Sequence, residues 1–109
     1  MSGSVPKAPI AGQIIGTSIS ITDRSATITS GGTAQQIAAA NPTRRGFYLQ
    51  NLSDTQTLWL SFGSAATAGR PSFKIPPNSL YETPAHGCPT GLVSVIGSTT
   101  GMEFSAGEW

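Results

Sequence analysis

Residues 44–63 constrain the fold more than any other stretch, because two runs within them repeat an apolar side chain at every second position. These runs are residues 47–50 and 58–62, and a period of two is typical of half-buried β-strands. Residues 51–56 between them contain Asn, Ser and Asp, whose short side chains bond the local backbone and favour a turn. We therefore predict that these two strands form a central hairpin, which ends at Gly63.

The rest of the chain shows short runs of the same kind, separated by glycine, proline and small polar residues. A helix competes only at residues 33–41, where Ala and Gln favour it, but Gly-Gly and Asn-Pro flank this short segment and we predict a strand. We predict a turn at residues 23–25. The predicted strands lie in residues 13–22, 26–29, 33–41, 47–50, 58–62, 72–75, 80–82, 91–96 and 102–109.

Short strands at roughly 8–12-residue spacing predict an all-β fold. We expect a small antiparallel β-sandwich of the jelly-roll type over residues 13–109. Residues 1–12 are rich in Gly and Pro among small residues, and we predict an extended amino-terminal arm there. The arm is either a disordered terminus or an anchor in which Val5, Pro6 and Ile10 bind a neighbouring subunit.

The charge of the chain bears on its partners. Charged residues make up 10% of the sequence, against about 25% in an ordinary soluble domain, and the net charge is +1. Such a weak field disfavours nucleic acid and acidic membranes as partners. No apolar run approaches the length of a signal peptide or a membrane span, so we expect the chain to be made in the cytoplasm.

The residue types used in catalysis are sparse. Nothing in the sequence places any two of the five carboxylates together, as paired acid and base catalysis would need. His86 and Cys88 could form a nucleophilic pair, but two such residues in a Pro- and Gly-rich loop more often belong to the loop alone. Two ligands do not make a zinc site. We predict no enzymatic activity, no metal and no cofactor.

Arg44 and Arg45 form a basic doublet just before the first strand of the predicted hairpin. They either pair with carboxylates of a partner or lie in solvent at the start of the strand. We predict that both project from the end of the sandwich toward a partner. In that position, replacing both by Ala should cost the free domain no more than about 0.5 kcal/mol.

Aromatic residues are further candidates for contact. Alternation places Trp59 opposite Leu58 and Leu60, so that it could lie on an exposed face beside Tyr48 as an interface or as a platform for sugars. Alternatively, both faces of the sheet are covered and Trp59 belongs to the core. Trp109 is expected to pack on its own domain or on a neighbour.

Several segments together resemble small virion structural proteins of tailed bacteriophages. The residues that carry this resemblance are 28–46, 48–55, 59–63, 79–82 and 93–101. Their combined order is more specific than any single segment. The resemblance implies a β-sandwich subunit, often trimeric, that decorates or cements a capsid or lies elsewhere on the particle, and it identifies no catalytic residue.

We therefore predict a capsid decoration or cement protein located in the virion. Its expected partners are the major capsid protein or another virion protein and, as a homotrimer, two further copies of itself. Two alternatives stay open: a tail, collar or fibre-base component, and a carbohydrate-binding module. The candidate contact residues are Val5, Pro6, Ile10, Arg44, Arg45, Tyr48, Trp59 and Trp109.

Overall fold

The computed structural model describes residues 19–109, which contain nine short β-strands and no helix. Val5, Pro6 and Ile10 lie outside the described residues, so the proposed anchor stays a prediction. The strands are β1 (Thr22–Asp23), β2 (Ala26–Thr27), β3 (Gln35–Ala38), β4 (Phe47–Asn51), β5 (Leu58–Phe62), β6 (Phe73–Ile75), β7 (Leu80–Glu82), β8 (Val93–Gly97) and β9 (Glu103–Glu108).

The strands form two antiparallel sheets that pack face to face. Sheet 1 has the order β1-β9-β4-β7, with β2 also paired to β9, and sheet 2 has the order β3-β8-β5-β6. Since β1 and β2 pair with the same strand, they serve as one edge strand, and the sandwich has four strands in each layer. This order is that of a jelly roll, which confirms the predicted all-β antiparallel sandwich.

The predicted central hairpin is wrong, because its two strands belong to different sheets. β4 pairs with β9 and β7, whereas β5 pairs with β8 and β6. Phe47 and Leu49 of β4 face Leu58 and Leu60 of β5 across the core, and all four side chains are fully buried. A hairpin and a pair of facing sheets bury the same alternate residues, so the pattern predicted both strands but not their partners.

The corner between the two sheets is held by one side chain. Asn51, at the end of β4, is fully buried, and its amide nitrogen donates to the carbonyls of Gln56, Ile75 and Pro76 at 2.7, 3.0 and 3.3 Å. Its side-chain oxygen accepts from the backbone nitrogen of Ser53. The polar residues read as a hairpin turn therefore build a crossing from sheet 1 to sheet 2.

The predicted turn at residues 23–25 is also wrong. β1 and β2 run in one direction along β9, and Arg24 N between them donates to the carbonyl of Ala106 at 2.8 Å. Ala106 N donates to the hydroxyl of Ser25 at 3.0 Å. Because this hydroxyl takes the place of a backbone carbonyl, the strand is interrupted without changing direction.

The strand predicted within residues 33–41 is confirmed at residues 35–38. Residues 76–79 form a turn in which Ser79 N donates to the carbonyl of Pro76 at 3.1 Å. Asn78 lies in this turn with a φ of 62°, a left-handed conformation that Asn tolerates better than most residues. The turn directs the chain from β6 in sheet 2 to β7 in sheet 1.

The core lies between the sheets and receives side chains from both. Phe104 and Ala106 of β9 and Met102 just before it face inward and are buried. Removing a Leu or Phe side chain of this kind from water contributes about 1.5–3 kcal/mol. The buried apolar cluster consists of Ile28, Ala38, Phe47, Leu49, Leu58, Leu60, Ile75, Val93, Val95, Met102, Phe104 and Ala106.

Candidate partner-binding face

The outer side of sheet 1 carries most of the exposed large apolar side chains in the described part of the chain. Among residues 19–109, five large apolar side chains are exposed, and of these Ile21, Leu52 and Leu80 lie on this side while Ile19 leads into it. The fifth, Phe73, lies at the sheet edge and stacks on Tyr81 with ring centroids 4.8 Å apart. We call the outer side of sheet 1 the open face; it comprises Ile21, Asp23, Thr27, Tyr48, Gln50, Leu52, Leu80, Glu82, Glu103, Ser105, Gly107 and Trp109.

Alternation along the strands decides which residues reach the open face. Phe47, Leu49 and Asn51 of β4 are buried in the core, so Tyr48 between them points outward and is half-buried. The register then places Gly107 of β9 beside Tyr48. Successive side chains of a strand point to opposite faces, so the same rule assigns the outward residues of every strand in sheet 1.

Two glycines leave room for aromatic side chains to pack against the backbone of this face. A Cβ atom on Gly107 would come within 2.6 Å of both Ile21 and Tyr48, and one on Gly46 would overlap the indole of Trp109. Tyr48 and Trp109 therefore cover glycines of the neighbouring strand, an arrangement known to stabilise sheets. Trp109 packs on its own domain, which was one of the two predicted outcomes.

Carboxylates flank the apolar centre of the open face. The register places Asp23, Gly107, Tyr48 and Glu82 side by side in one row across sheet 1. Both acidic side chains in this row are exposed. Hydrogen bonds from Ser25 lower the pKa of Asp23, so its carboxylate is negatively charged at neutral pH. With Glu103, the open face carries three carboxylates and neither Lys nor Arg.

The outer side of sheet 2 differs from the open face, because residues 63–72 fold over part of it. Ala66 N donates to the hydroxyl of Ser94 at 2.9 Å, and both residues are buried. Nearby, the hydroxyls of Ser61 and Ser64 are 3.2 Å apart. The chain itself therefore covers serines that would otherwise face solvent on sheet 2.

Trp59 lies on this second outer side, so the predicted platform of Trp59 and Tyr48 is wrong. Trp59 is half-buried and pairs with Ile96 of β8. Tyr48 lies on the opposite side of the sandwich. The two rings would be neighbours only if β4 and β5 formed a hairpin, and these strands lie in separate sheets.

Arg44 is buried and belongs to the fold, so the prediction that it projects toward a partner is wrong. Its side chain has no exposed surface, and Nε donates to Glu108 Oε1 at 2.7 Å. The guanidinium also donates to the carbonyls of Ala39, Pro89 and Gly91 at 2.8–2.9 Å. Arg44 thus joins the end of β9 to two loops at one end of the sandwich.

The Glu108 carboxylate also forms an ion pair with Arg24, which lies between β1 and β2 at the edge of sheet 1. Arg24 Nη2 lies 2.6 Å from Glu108 Oε2, and Arg24 Nε donates to the same oxygen at 2.8 Å. Burial alone would raise the pKa of Glu108, but the hydrogen bonds and charges of Arg44 and Arg24 outweigh it, so that this pKa is lowered. A buried carboxylate is tolerable when it is paired in this way.

Arg45 is exposed, and its contact with a partner stays a prediction. It lines an open depression of about 240 Å³ together with Ala85, His86, Gly87 and Cys88. Among the described residues, Arg45 makes no ion pair, and Cys88 is half-buried with Sγ 3.4 Å from the carbonyl of Pro89. This depression brings His86 and Cys88 together as loop neighbours.

Residues 19–109 contain no group of three or more His, Cys, Asp or Glu side chains placed to hold a metal ion. They also contain no helix long and apolar enough to cross a membrane.

Comparisons of the chain with protein-family models, with curated proteins and with solved structures find no match. The resemblance of residues 28–104 to small phage virion proteins therefore stays a prediction.

Proposed function

We propose that the protein is a structural subunit of a bacteriophage virion that binds the capsid surface as a decoration or cement protein. The observation that supports this proposal is the open face, where exposed apolar side chains lie together on one ordered sheet. Contiguous exposed apolar surface marks interaction sites on soluble proteins. Ile21 and Leu80 are 58% and 57% exposed, and an assembled particle would remove them from water.

The proposed mechanism is binding energy rather than catalysis, and it needs no cofactor. A protein that binds only the assembled lattice stabilises the lattice, since any ligand selective for one state favours that state. The partners would be the major capsid protein or another virion protein. As in the resembling proteins, we expect a homotrimer, which sedimentation of the free chain at micromolar concentration would detect.

The test is mass spectrometry of particles purified from a lysate of the phage whose genome encodes the chain. Copy numbers on the order of hundreds per particle would support a place on the icosahedral shell, where symmetry repeats each contact. About a dozen copies or fewer would support the alternative, a tail, collar or fibre-base component, since tails have low rotational symmetry. Absence of the chain from purified particles would overturn the proposal.

A further inference from the structure

We infer that the open face binds a protein surface on which apolar side chains alternate with lysine or arginine. This inference rests on the proposed function in one respect, that the face binds protein. It adds the location of the contact and the chemistry of the partner.

The apolar part of the contact follows from the side chains at one end of the face. Tyr48 and Ile21 pack over Gly107, and Trp109 packs over Gly46. Leu80 and Leu52 lie toward the other end of sheet 1, and Gln50 of β4 lies between Tyr48 and Leu52. Aromatic residues are enriched at protein interfaces.

The basic part of the contact follows from the charges. Asp23 and Glu82 stand at the two ends of the row that contains Tyr48, and Glu103 lies on the neighbouring strand. Within residues 19–109, no Lys or Arg on this face neutralises them. Asp23 and Glu82 are three strand spacings apart, roughly 14 Å, so a separate lysine or arginine would pair with each, and a cation above Tyr48 would meet the face of its ring.

The same charges disfavour other occupants. If two copies met open face to open face about a two-fold axis, each patch would meet itself, and like carboxylates would repel across the contact. Anionic lipid surfaces and nucleic acid would be repelled as well. A basic and apolar protein surface is the partner that satisfies both features of the face.

The experiment titrates the full-length ¹⁵N-labelled chain with a short synthetic peptide of alternating leucine and lysine. A peptide of alternating leucine and glutamate is the matched control. We expect the first peptide to shift the amide signals of the open face, and the second to leave them unchanged. Raising the salt concentration should weaken the binding, because exposed charges are screened.

A charge-reversed variant locates the contact. Glu82→Lys with Glu103→Lys changes two exposed side chains that make no ion pair among the described residues, so the free domain should unfold at the same temperature. We expect peptide affinity to fall at least about tenfold. Lys74→Glu, on the outer side of sheet 2, is the matched control and should leave affinity unchanged.

Several results would overturn the inference: equal binding of the glutamate peptide, signal shifts confined to sheet 2, or full affinity of the charge-reversed variant. Dimerisation of the free chain that Leu80→Ser abolishes would also overturn it, since a second copy would then occupy the face.

Failure of the inference is distinguishable from failure of the virion assignment. If the charge-reversed variant still occupies phage particles fully, the inference fails and the virion assignment stands. If the chain is absent from purified particles but binds the lysine peptide through the open face, the virion assignment fails and the inference stands.

Discussion

The two outer sides of the sandwich differ in how far the chain itself covers them. On sheet 2, residues 63–72 of the same chain cover Ser94 and Ser61, and Ala66 is buried against them. On sheet 1, the corresponding surface keeps Ile21 and Leu80 more than half exposed. Both sheets share one core, so the free domain does not need the open face to be covered. Among residues 19–109, the difference separates surface that the chain covers itself from surface that it leaves exposed.

The largest effect on stability should come from Arg44, whose buried side chain joins the end of β9 to two loops. Arg44→Ala would leave the Glu108 carboxylate buried with one of its two cations lost, and would free three carbonyls. Breaking a buried pair in this way costs about 3–5 kcal/mol, and we expect that loss in urea unfolding of the free chain. Arg45→Ala is the matched control and should cost no more than about 0.5 kcal/mol.

Equal costs for the two arginine variants would contradict the buried geometry. A stable Arg44→Ala protein with weakened partner binding would instead support the prediction that Arg44 contacts a partner.

The same ion pairs should make stability depend on pH. The folded state lowers the pKa of Glu108 below its ordinary value of 4.5. The stabilisation is therefore fully present above that ordinary value, and is lost as the pH falls through the lower pKa of the folded state. Thermal unfolding measured from pH 7 downward should show this loss, and Glu108→Gln should reduce the slope below pH 4.5. An unchanged slope in Glu108→Gln would assign the acid sensitivity to other carboxylates.

A smaller effect is expected from a pair of matched serines, one on each outer side. Ser94→Ala removes the acceptor for Ala66 N on sheet 2 and leaves a buried N–H without a partner, which costs about 1–3 kcal/mol. Ser105 on the open face is half-buried and makes no side-chain hydrogen bond among the described residues, so Ser105→Ala should cost no more than about 0.5 kcal/mol. Chemical denaturation measures both. Equal losses of unfolding free energy in the two variants would contradict this difference between the two outer sides.

The smallest effect on the free chain should come from Leu80→Ser. Leu80 is exposed on the open face, and exposed substitutions usually change stability by no more than about 0.5 kcal/mol. Thermal unfolding of the free chain should therefore match the parent. A loss above about 1 kcal/mol would show that the protein itself covers this face, because burial of a large apolar side chain carries a free energy of that size or more.

The sequence predicted the strands well because alternation is a local property. Residues 47–51 and 58–62 show it strongly, and both are strands. It failed on pairing, because a buried alternate face is compatible with a hairpin neighbour or with an opposing sheet. Asn51 carried the missing information, since its amide joins Gln56 to residues 75 and 76, but no local pattern marks a side chain that bonds distant carbonyls.

The candidate face was predictable only in part. Tyr48 and Trp109 were identified as contact residues, and both lie on the open face. Leu80 and Glu82 were read as a strand, but which of their faces points outward depends on the partner strand β4. Arg44 and Arg45 are the same residue type in adjacent positions, and what distinguishes them is Glu108, which lies 64 residues from Arg44.

The position of β9 in sheet 1 has a consequence for how the protein is made. This strand lies between the edge strands β1 and β2 and the inner strand β4, so residues 22–27 pair with residues 103–108 across most of the chain. Such distant contacts form late and slow folding. During translation, therefore, the open face is absent until residue 108 has left the ribosome. We expect a chain that stops before β9 to lack the open face.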